Sequence, residues 1–122
     1  MPMQDRIPGN PGQPWQADAE RLNRVVGQLM ECQSRWREAD HDARLADALT
    51  ASRRLWGELQ DALGRGTERY PLEIRQNILI LSVYGLSRLE AVEREPSRIA
   101  LGGLIALMRN LALSLQPLAQ AA

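Results

Sequence analysis

Apolar and polar residues alternate with helical spacing in four segments of the chain. The first is predicted to begin near Asp18, a residue type favoured at the N-cap. The second follows the polar run 38–43, where Asp40 or Asp42 can serve as cap, and the glycines at 64 and 66 end it. The predicted inward positions are Leu22, Val25, Val26, Leu29, Gln33 and Trp36 in the first helix and Leu45, Ala48, Leu49, Ser52, Trp56, Leu59 and Leu63 in the second.

The third and fourth segments have clear start and stop signals. Pro71 suits a first helical position, and Glu73 complements the positive end of the helix dipole. Pro96 disfavours helix in the residue before it, so the third helix ends there and the fourth runs from about Ser97 to Gln116. Their predicted inward positions are Ile74, Ile78, Leu81, Gly85, Leu89 and Val92, then Leu101, Leu104, Met108, Leu111 and Leu115.

These segments predict an all-α protein, an antiparallel bundle of about four helices joined by short connections. Leu and Ala are frequent while Val, Ile and Thr are sparse, which favours helix over sheet. The helical domain is predicted over residues 15–118. Residues 1–14 are rich in Pro and Gly and are expected to form a flexible tail.

The last two helices have more apolar residues than one buried stripe needs. Between residues 99 and 115, Arg109 is the only charged side chain. A helix that is apolar nearly all round is buried on more than one side or presents a surface to a partner. Two alternatives stay open: central placement in the bundle, or an outward-facing apolar groove. The candidate groove residues are Leu79, Val83, Leu86, Ile105 and Leu113.

A membrane span is a less favoured explanation for residues 99–115. At 1.5 Å per residue the segment is about 26 Å long, short of a hydrocarbon core of about 30 Å. Arg109 would lie inside that core at a cost of roughly 3 kcal/mol. We therefore expect no membrane span.

Composition is that of an ordinary globular chain, with 44% hydrophobic and 25% charged residues. Fifteen basic residues balance fifteen acidic ones, which disfavours a general nucleic-acid or anionic-membrane binder. Cys32 is the single cysteine, so a reducing compartment, the cytoplasm, is expected. The N-terminal residues lack a basic leader followed by an apolar run, so no secretory signal is predicted.

Residue patterns typical of catalysis or of metal binding are missing from the sequence. His41 is the single histidine and lies between Asp40 and Asp42, where a solvated cap-and-loop cluster is favoured over a metal site. Cys32 has no His or second Cys at ligand spacing and no sign of activation. We expect no enzyme activity, no cofactor and no bound metal.

Arginines supply a second set of candidate contacts. In the run Ser-Arg-Arg-Leu-Trp, Trp56 falls on the inward stripe, Arg54 points the opposite way and Arg53 lies on the flank. Arg75 and Arg88 add positive charge to the third helix, where acidic neighbours largely cancel it. Binding of RNA through these side chains depends on their distribution in space.

Two stretches, residues 48–63 and 70–88, resemble the FlaF family, small flagellar biosynthesis regulators of alphaproteobacteria. The family's Asn-Arg-Arg-Leu/Val-Trp block is matched, after Ser52 in place of Asn, by Arg53, Arg54, Leu55 and Trp56. Its Leu-Pro-x-Glu-Leu-Arg helix start is matched by Pro71, Glu73 and Arg75. Residues 104–115 are also similar to the family's apolar C-terminal helix with its internal arginine.

The resemblance implies a role in flagellin production, as a secretion chaperone for flagellin and a positive factor for its synthesis. In the family this role opposes FlbT, a small repressor of flagellin translation. The leading hypothesis is a cytoplasmic module that binds flagellin before export through the apolar groove. The alternatives are a post-transcriptional regulator that contacts flagellin mRNA or FlbT through arginines, and a homodimeric helical adaptor. Monomer and dimer both stay open.

Overall fold

The computed structural model describes residues 13–64 and 71–121, which form four helices: α1 (Gln13–Ser34), α2 (His41–Gly64), α3 (Leu72–Arg94) and α4 (Arg98–Ala121). No strand occurs in these two ranges, so the predicted all-α class is confirmed. Of the predicted tail, residues 1–12 lie outside the described residues, whereas residues 13 and 14 are helical and belong to α1.

The helix boundaries follow the sequence signals at most ends. The hydroxyl of Ser97 accepts a hydrogen bond of 3.0 Å from the backbone N–H of Ala100, so Ser97 is the N-cap of α4. Helix α2 begins directly after Asp40, and Pro71 precedes the first residue of α3. The prediction of Asp18 as a cap is wrong because α1 already begins at Gln13. Asp18 lies inside the helix and is 5% exposed.

Each helix packs against two others, in the cyclic order α1, α2, α3, α4. Helices α1 and α3 make no close approach within the described residues, and neither do α2 and α4, so these pairs are diagonal. Successive helices are joined by short connections and run antiparallel. The predicted four-helix bundle is confirmed.

The core contains the predicted inward positions. Most of them are buried; the ones that keep partial exposure are Gln33, Trp36, Leu63, Ile74 and Leu81. Beyond the predicted stripes, the bundle also buries Cys32, Leu55, Ile105, Leu107 and Ala112. These extra residues lie on helix flanks, which are covered because each helix is packed on two sides.

A close contact joins α2 and α3 at the middle of the core. The ring of Trp56 is fully buried and lies against Gly85, where an added Cβ would come within 2.5 Å of ring atom Cζ2. A side chain on residue 85 would therefore push the two helices apart. The glycine allows the largest buried side chain of the core to lie against α3.

Helix α4 packs between α1 and α3, which accounts for the long apolar segment. By length and mean hydropathy (1.4), the window Arg98–Leu115 would also suffice to cross a membrane. In the bundle, however, 44% of that window is buried, and Arg109 is exposed to solvent. Two-sided burial in the core explains much of the apolar composition that the sequence left open.

Candidate protein-binding surface

Five large apolar side chains on α3 face solvent, and together they define the α3 outer face: Leu72, Leu79, Ile80, Val83 and Tyr84. Each of them exposes between 55% and 68% of its surface. Their spacing along α3 places them on the side opposite the buried residues Ile78 and Leu89. The α3 outer face therefore lies along one side of the helix, with the exposed side chain of Gln76 between Leu72 and the other four residues.

The α3 outer face occupies the N-terminal part of α3 and ends in polar residues. Ser87, Glu90 and Arg94, which continue the same side of the helix, are exposed and polar. A contiguous apolar area of a few hundred Å² is what marks an interaction site on a soluble protein. The α3 outer face is the largest group of exposed apolar side chains among the described residues.

The structure separates the five residues predicted to line one groove. Leu79 and Val83 lie on the α3 outer face, and Leu86 is half-buried against the core. Leu113 is 60% exposed on α4. The expectation that Ile105 lines an open groove is wrong, because α1 covers that flank of α4 and leaves Ile105 only 6% exposed.

A polar seam lies between α3 and α4 where the single groove was predicted. The side-chain amide of Asn77 donates a 3.0 Å hydrogen bond to the hydroxyl of Ser114. That hydroxyl in turn donates to the backbone carbonyl of Asn110 at 3.1 Å. Beside the seam, Ile80 and Ile74 line a shallow depression together with polar side chains that include Glu73 and Gln76. The apolar surfaces of α3 and α4 are therefore two separate features.

Leu113 belongs to a shallow groove of about 350 Å³ between α1 and α4. Its other apolar lining residues include Val26, Met30 and Ala112, and Arg109 also lines it. Met30 is 44% exposed. This groove contains two large exposed apolar side chains, Met30 and Leu113, whereas the α3 outer face contains five.

Three of the four candidate arginines lie at three different helix pairs. Arg53 pairs with Glu93 across α2 and α3 at 2.6 Å, and the hydrogen bond to that carboxylate raises the pKa of Arg53. Arg54 lies in a groove between α1 and α2. Arg88 lies along α4, where a Cβ on Gly103 would come within 2.8 Å of its guanidinium. No single face of the described residues brings these arginines together.

Arg75 is partly buried on α3, and its Nε atom has no hydrogen-bond partner among the described residues. It is not among the residues that line the α1/α2 groove with Arg54, and it takes no part in the pair of Arg53 with Glu93. The regulator hypothesis needs several arginines on one surface, and the structure does not show such a surface among the described residues.

The residues considered for metal or nucleophilic chemistry have structural neighbours. The ring of His41 lies against that of Trp36, with centroids 4.0 Å apart and planes tilted by 53°, and Asp40 pairs with Arg44 at 2.6 Å. Burial raises the pKa of the Cys32 thiol, which keeps it protonated at neutral pH. Within the described ranges, no group of three His, Cys, Asp or Glu residues is placed to hold a metal ion.

An ion-pair network surrounds the connection between α1 and α2. The Arg35 guanidinium hydrogen-bonds Glu38, and this contact holds the pKa of the Glu38 carboxyl below its ordinary value. Arg35 also pairs with Glu31 at 3.1 Å. These contacts fix the connection and leave its charges largely paired.

The sequence reasoning missed part of the α3 outer face. Leu72, Ile80 and Tyr84 were not among the candidates, although they share one side of α3 with Leu79 and Val83. A helical projection of residues 72–94 carries that signal, because all five positions fall opposite the inward stripe.

A family model described as "Flagellar protein FlaF" matches residues 5–115 of the chain. No curated protein and no solved structure matches it. The family match covers most of the chain, including all of α2 and α3 and the two motif stretches that suggested the resemblance. The chain therefore belongs to the FlaF family of flagellar proteins.

Proposed function

We propose that this FlaF family protein binds flagellin in the cytoplasm before export and shields a segment that would otherwise assemble too early. The observation that carries the proposal is the α3 outer face, with five large apolar side chains each more than half exposed. Membership of a flagellar family supports flagellin as the partner. Catalysis has no part in this function.

The α3 outer face suits an amphipathic helix as partner. Its apolar residues lie along one side of α3, so a second helix laid beside it would place its own apolar stripe against Leu79 and Val83. The terminal segments of flagellin are amphipathic and unfolded before assembly, so they have such a stripe to offer. Part of the contact free energy would be spent on ordering the segment, which keeps the complex reversible for export.

The arginines support the alternative regulator hypothesis less well. Binding of an mRNA strand requires several cationic side chains along one surface, because these displace the counterions of the phosphates. Arg53 is paired with Glu93, and Arg54 and Arg88 lie on different sides of the bundle. The chaperone proposal uses side chains on one side of one helix, whereas the regulator would need charges that are spread around the molecule.

Calorimetric titration of the full chain with its own organism's flagellin tests the proposal, at about 0.05 M and 0.5 M salt. One-to-one binding with little salt dependence is expected. Val83→Glu places a charge in the centre of the α3 outer face and should weaken binding at least about tenfold, a loss of about 1.4 kcal/mol. Because Val83 is 68% exposed, the melting temperature should hardly change.

Ala106→Glu is the matched control, because it adds the same charge at an exposed position on α4, away from the α3 outer face. It should bind flagellin as the unmodified protein does. Equal binding by Val83→Glu, or no binding by any form of the protein, would overturn the proposal.

Sedimentation at two protein concentrations distinguishes the homodimer alternative. A monomer at both concentrations is expected if the α3 outer face is kept for flagellin. A dimer that Val83→Glu dissociates would assign the face to a second copy of the chain and would contradict the chaperone proposal.

A further inference from the structure

The groove between α1 and α2 is lined by arginines, one of which, Arg21, pairs with the carboxylates of Glu58 and Asp18. It has a volume of about 430 Å³, and three arginines line it: Arg21, Arg24 and Arg54. No carboxylate belongs to its described lining. Its floor is apolar and is formed by Val25, Ala51 and Leu55. Cations above an apolar floor are the complement of a segment that combines carboxylates with apolar side chains.

Two of these arginines have no side-chain pairing partner among the described residues. Arg21 is held by Glu58 of α2, which ties the two helices together. Arg24 and Arg54 are exposed, and neither forms an ion pair or a side-chain hydrogen bond within the described residues. Both guanidiniums are therefore available to a ligand without breaking an existing pair.

Arg54 is also the residue of the Ser-Arg-Arg-Leu-Trp run for which the fold supplies no explanation. Arg53 pairs with Glu93, and Leu55 and Trp56 are 2% and 0% exposed. Ser52 donates its hydroxyl proton to the carbonyl of Ala48. The other members of the run thus stabilise the bundle, whereas Arg54 points into the groove.

We infer that the α1/α2 groove binds an acidic, partly apolar peptide segment of another protein, with Arg24 and Arg54 as its carboxylate contacts. Guanidinium groups form charge-assisted, bidentate hydrogen bonds with carboxylates, which supply orientation as well as affinity. The apolar floor receives the side chains between the acidic residues. This site is separate from the α3 outer face, so its existence does not depend on flagellin binding there.

The same groove is a poor site for a nucleic acid. No aromatic side chain is among the residues that line it, so bases would have no stacking partner. Beyond Gln28, a second depression between α1 and α2 is lined by the carboxylates of Glu31 and Asp47 and by Arg44, which is already paired with Asp40. A strand with a phosphate at every nucleotide would run onto these carboxylates, whereas a short acidic peptide ends before them.

The test uses a fluorescein-labelled peptide that repeats Glu-Leu-Leu-Ala and a second peptide in which every Glu is replaced by Gln. Fluorescence anisotropy with the full chain should show binding of the Glu peptide at least about tenfold tighter than the Gln peptide. The double variant Arg24→Gln, Arg54→Gln should reduce binding of the Glu peptide to the level of the Gln peptide.

Arg37→Gln with Arg94→Gln is the matched control, since it removes two exposed arginines outside the groove. This control should leave binding unchanged. The inference is overturned if the control weakens binding as much as the groove variant, or if both peptides bind equally. A single-stranded RNA of mixed sequence that competes more tightly than the Glu peptide would also overturn it.

Val83→Glu keeps this experiment distinct from the flagellin titration. It removes the apolar character of the α3 outer face and leaves the α1/α2 groove intact, so the Glu peptide should bind it normally. Failure of the flagellin proposal and failure of the acidic-peptide inference therefore give different results.

Discussion

The contact between Gly85 and Trp56 makes the stability of the bundle sensitive to a single methyl group. In Gly85→Ala, the new Cβ would lie 2.5 Å from Cζ2, 2.7 Å from Cε2 and 3.0 Å from Cη2 of the indole. Ordinary carbon–carbon contacts are about 3.5–4.0 Å, so α2 and α3 must separate by roughly 1 Å or the ring must move. Trp56 is fully buried and has no free space to enter.

The free energy of unfolding should fall in Gly85→Ala although alanine favours helix. Overpacking of a core costs about 1–3 kcal/mol, and the higher helix propensity of Ala returns at most about 1 kcal/mol. With the full propensity gain subtracted, the net loss is up to about 2 kcal/mol, and a loss of about 1 kcal/mol lowers the melting temperature by roughly 5 °C in a chain of this size. Urea unfolding followed by far-UV circular dichroism measures the loss directly.

Gly57→Ala is the matched control, because residue 57 also lies in a helix and nothing lies within 4 Å of the Cβ it would gain. It should stabilise the protein by up to about 1 kcal/mol through propensity alone. If Gly85→Ala stabilises the protein as Gly57→Ala does, the contact is not tight and the reasoning is refuted.

A double-mutant cycle with Trp56→Phe assigns the loss to the contact. The smaller ring removes the atoms that the new Cβ would meet, and it also removes a buried indole N–H that has no hydrogen-bond partner among the described residues. The two substitutions together should therefore cost at least about 1 kcal/mol less than the sum of the single losses. Simple additivity would place the effect of Gly85→Ala elsewhere.

Further predictions follow from burial and capping. Ile105→Ala should cost about 2–4 kcal/mol in urea unfolding, whereas Leu113→Ala should cost less than about 1 kcal/mol, because the first side chain is 6% exposed and the second 60%. Ser97→Ala removes the α4 cap and should cost about 1 kcal/mol, measured in the same way. Arg53→Ala breaks a solvent-exposed pair with Glu93 and should leave the melting temperature nearly unchanged. The raised pKa and burial of Cys32 predict slow labelling by iodoacetamide near pH 7 and rapid labelling in denaturant.

The flank residues show how far the sequence could predict the candidate site. Helical spacing places Ile105 on the flank of α4 and Leu113 opposite the inward stripe, but the pattern of one helix does not show whether a neighbour covers the flank. The difference comes from α1, which approaches α4 closely enough for Gln33 to donate a 3.1 Å hydrogen bond to the carbonyl of Arg98. Ile105 is covered in the bundle, whereas Leu113 stays 60% exposed in the shallow groove between α1 and α4.

The spacing of residues along the sequence also could not predict which charged side chains lie near each other in the fold. The sequence shows Arg53 and Arg54 as neighbours, but consecutive residues of a helix point about 100° apart, so they meet different helices. Arg53 finds a carboxylate on α3, and Arg54 lies in the groove facing α1. Arg24, from a distant part of the chain, joins Arg54 only after folding.

By itself, the sequence determined the number of helices, the inward stripe of each and most of their ends, because helical periodicity and capping residues act within a few residues along the chain. It also pointed to the FlaF family through two motif stretches that lie in α2 and α3. Only the tertiary structure decided which surplus apolar residues are covered, which of them form the α3 outer face and which arginines share a groove. Those outcomes depend on the positions of neighbouring helices, which periodicity within one helix does not specify.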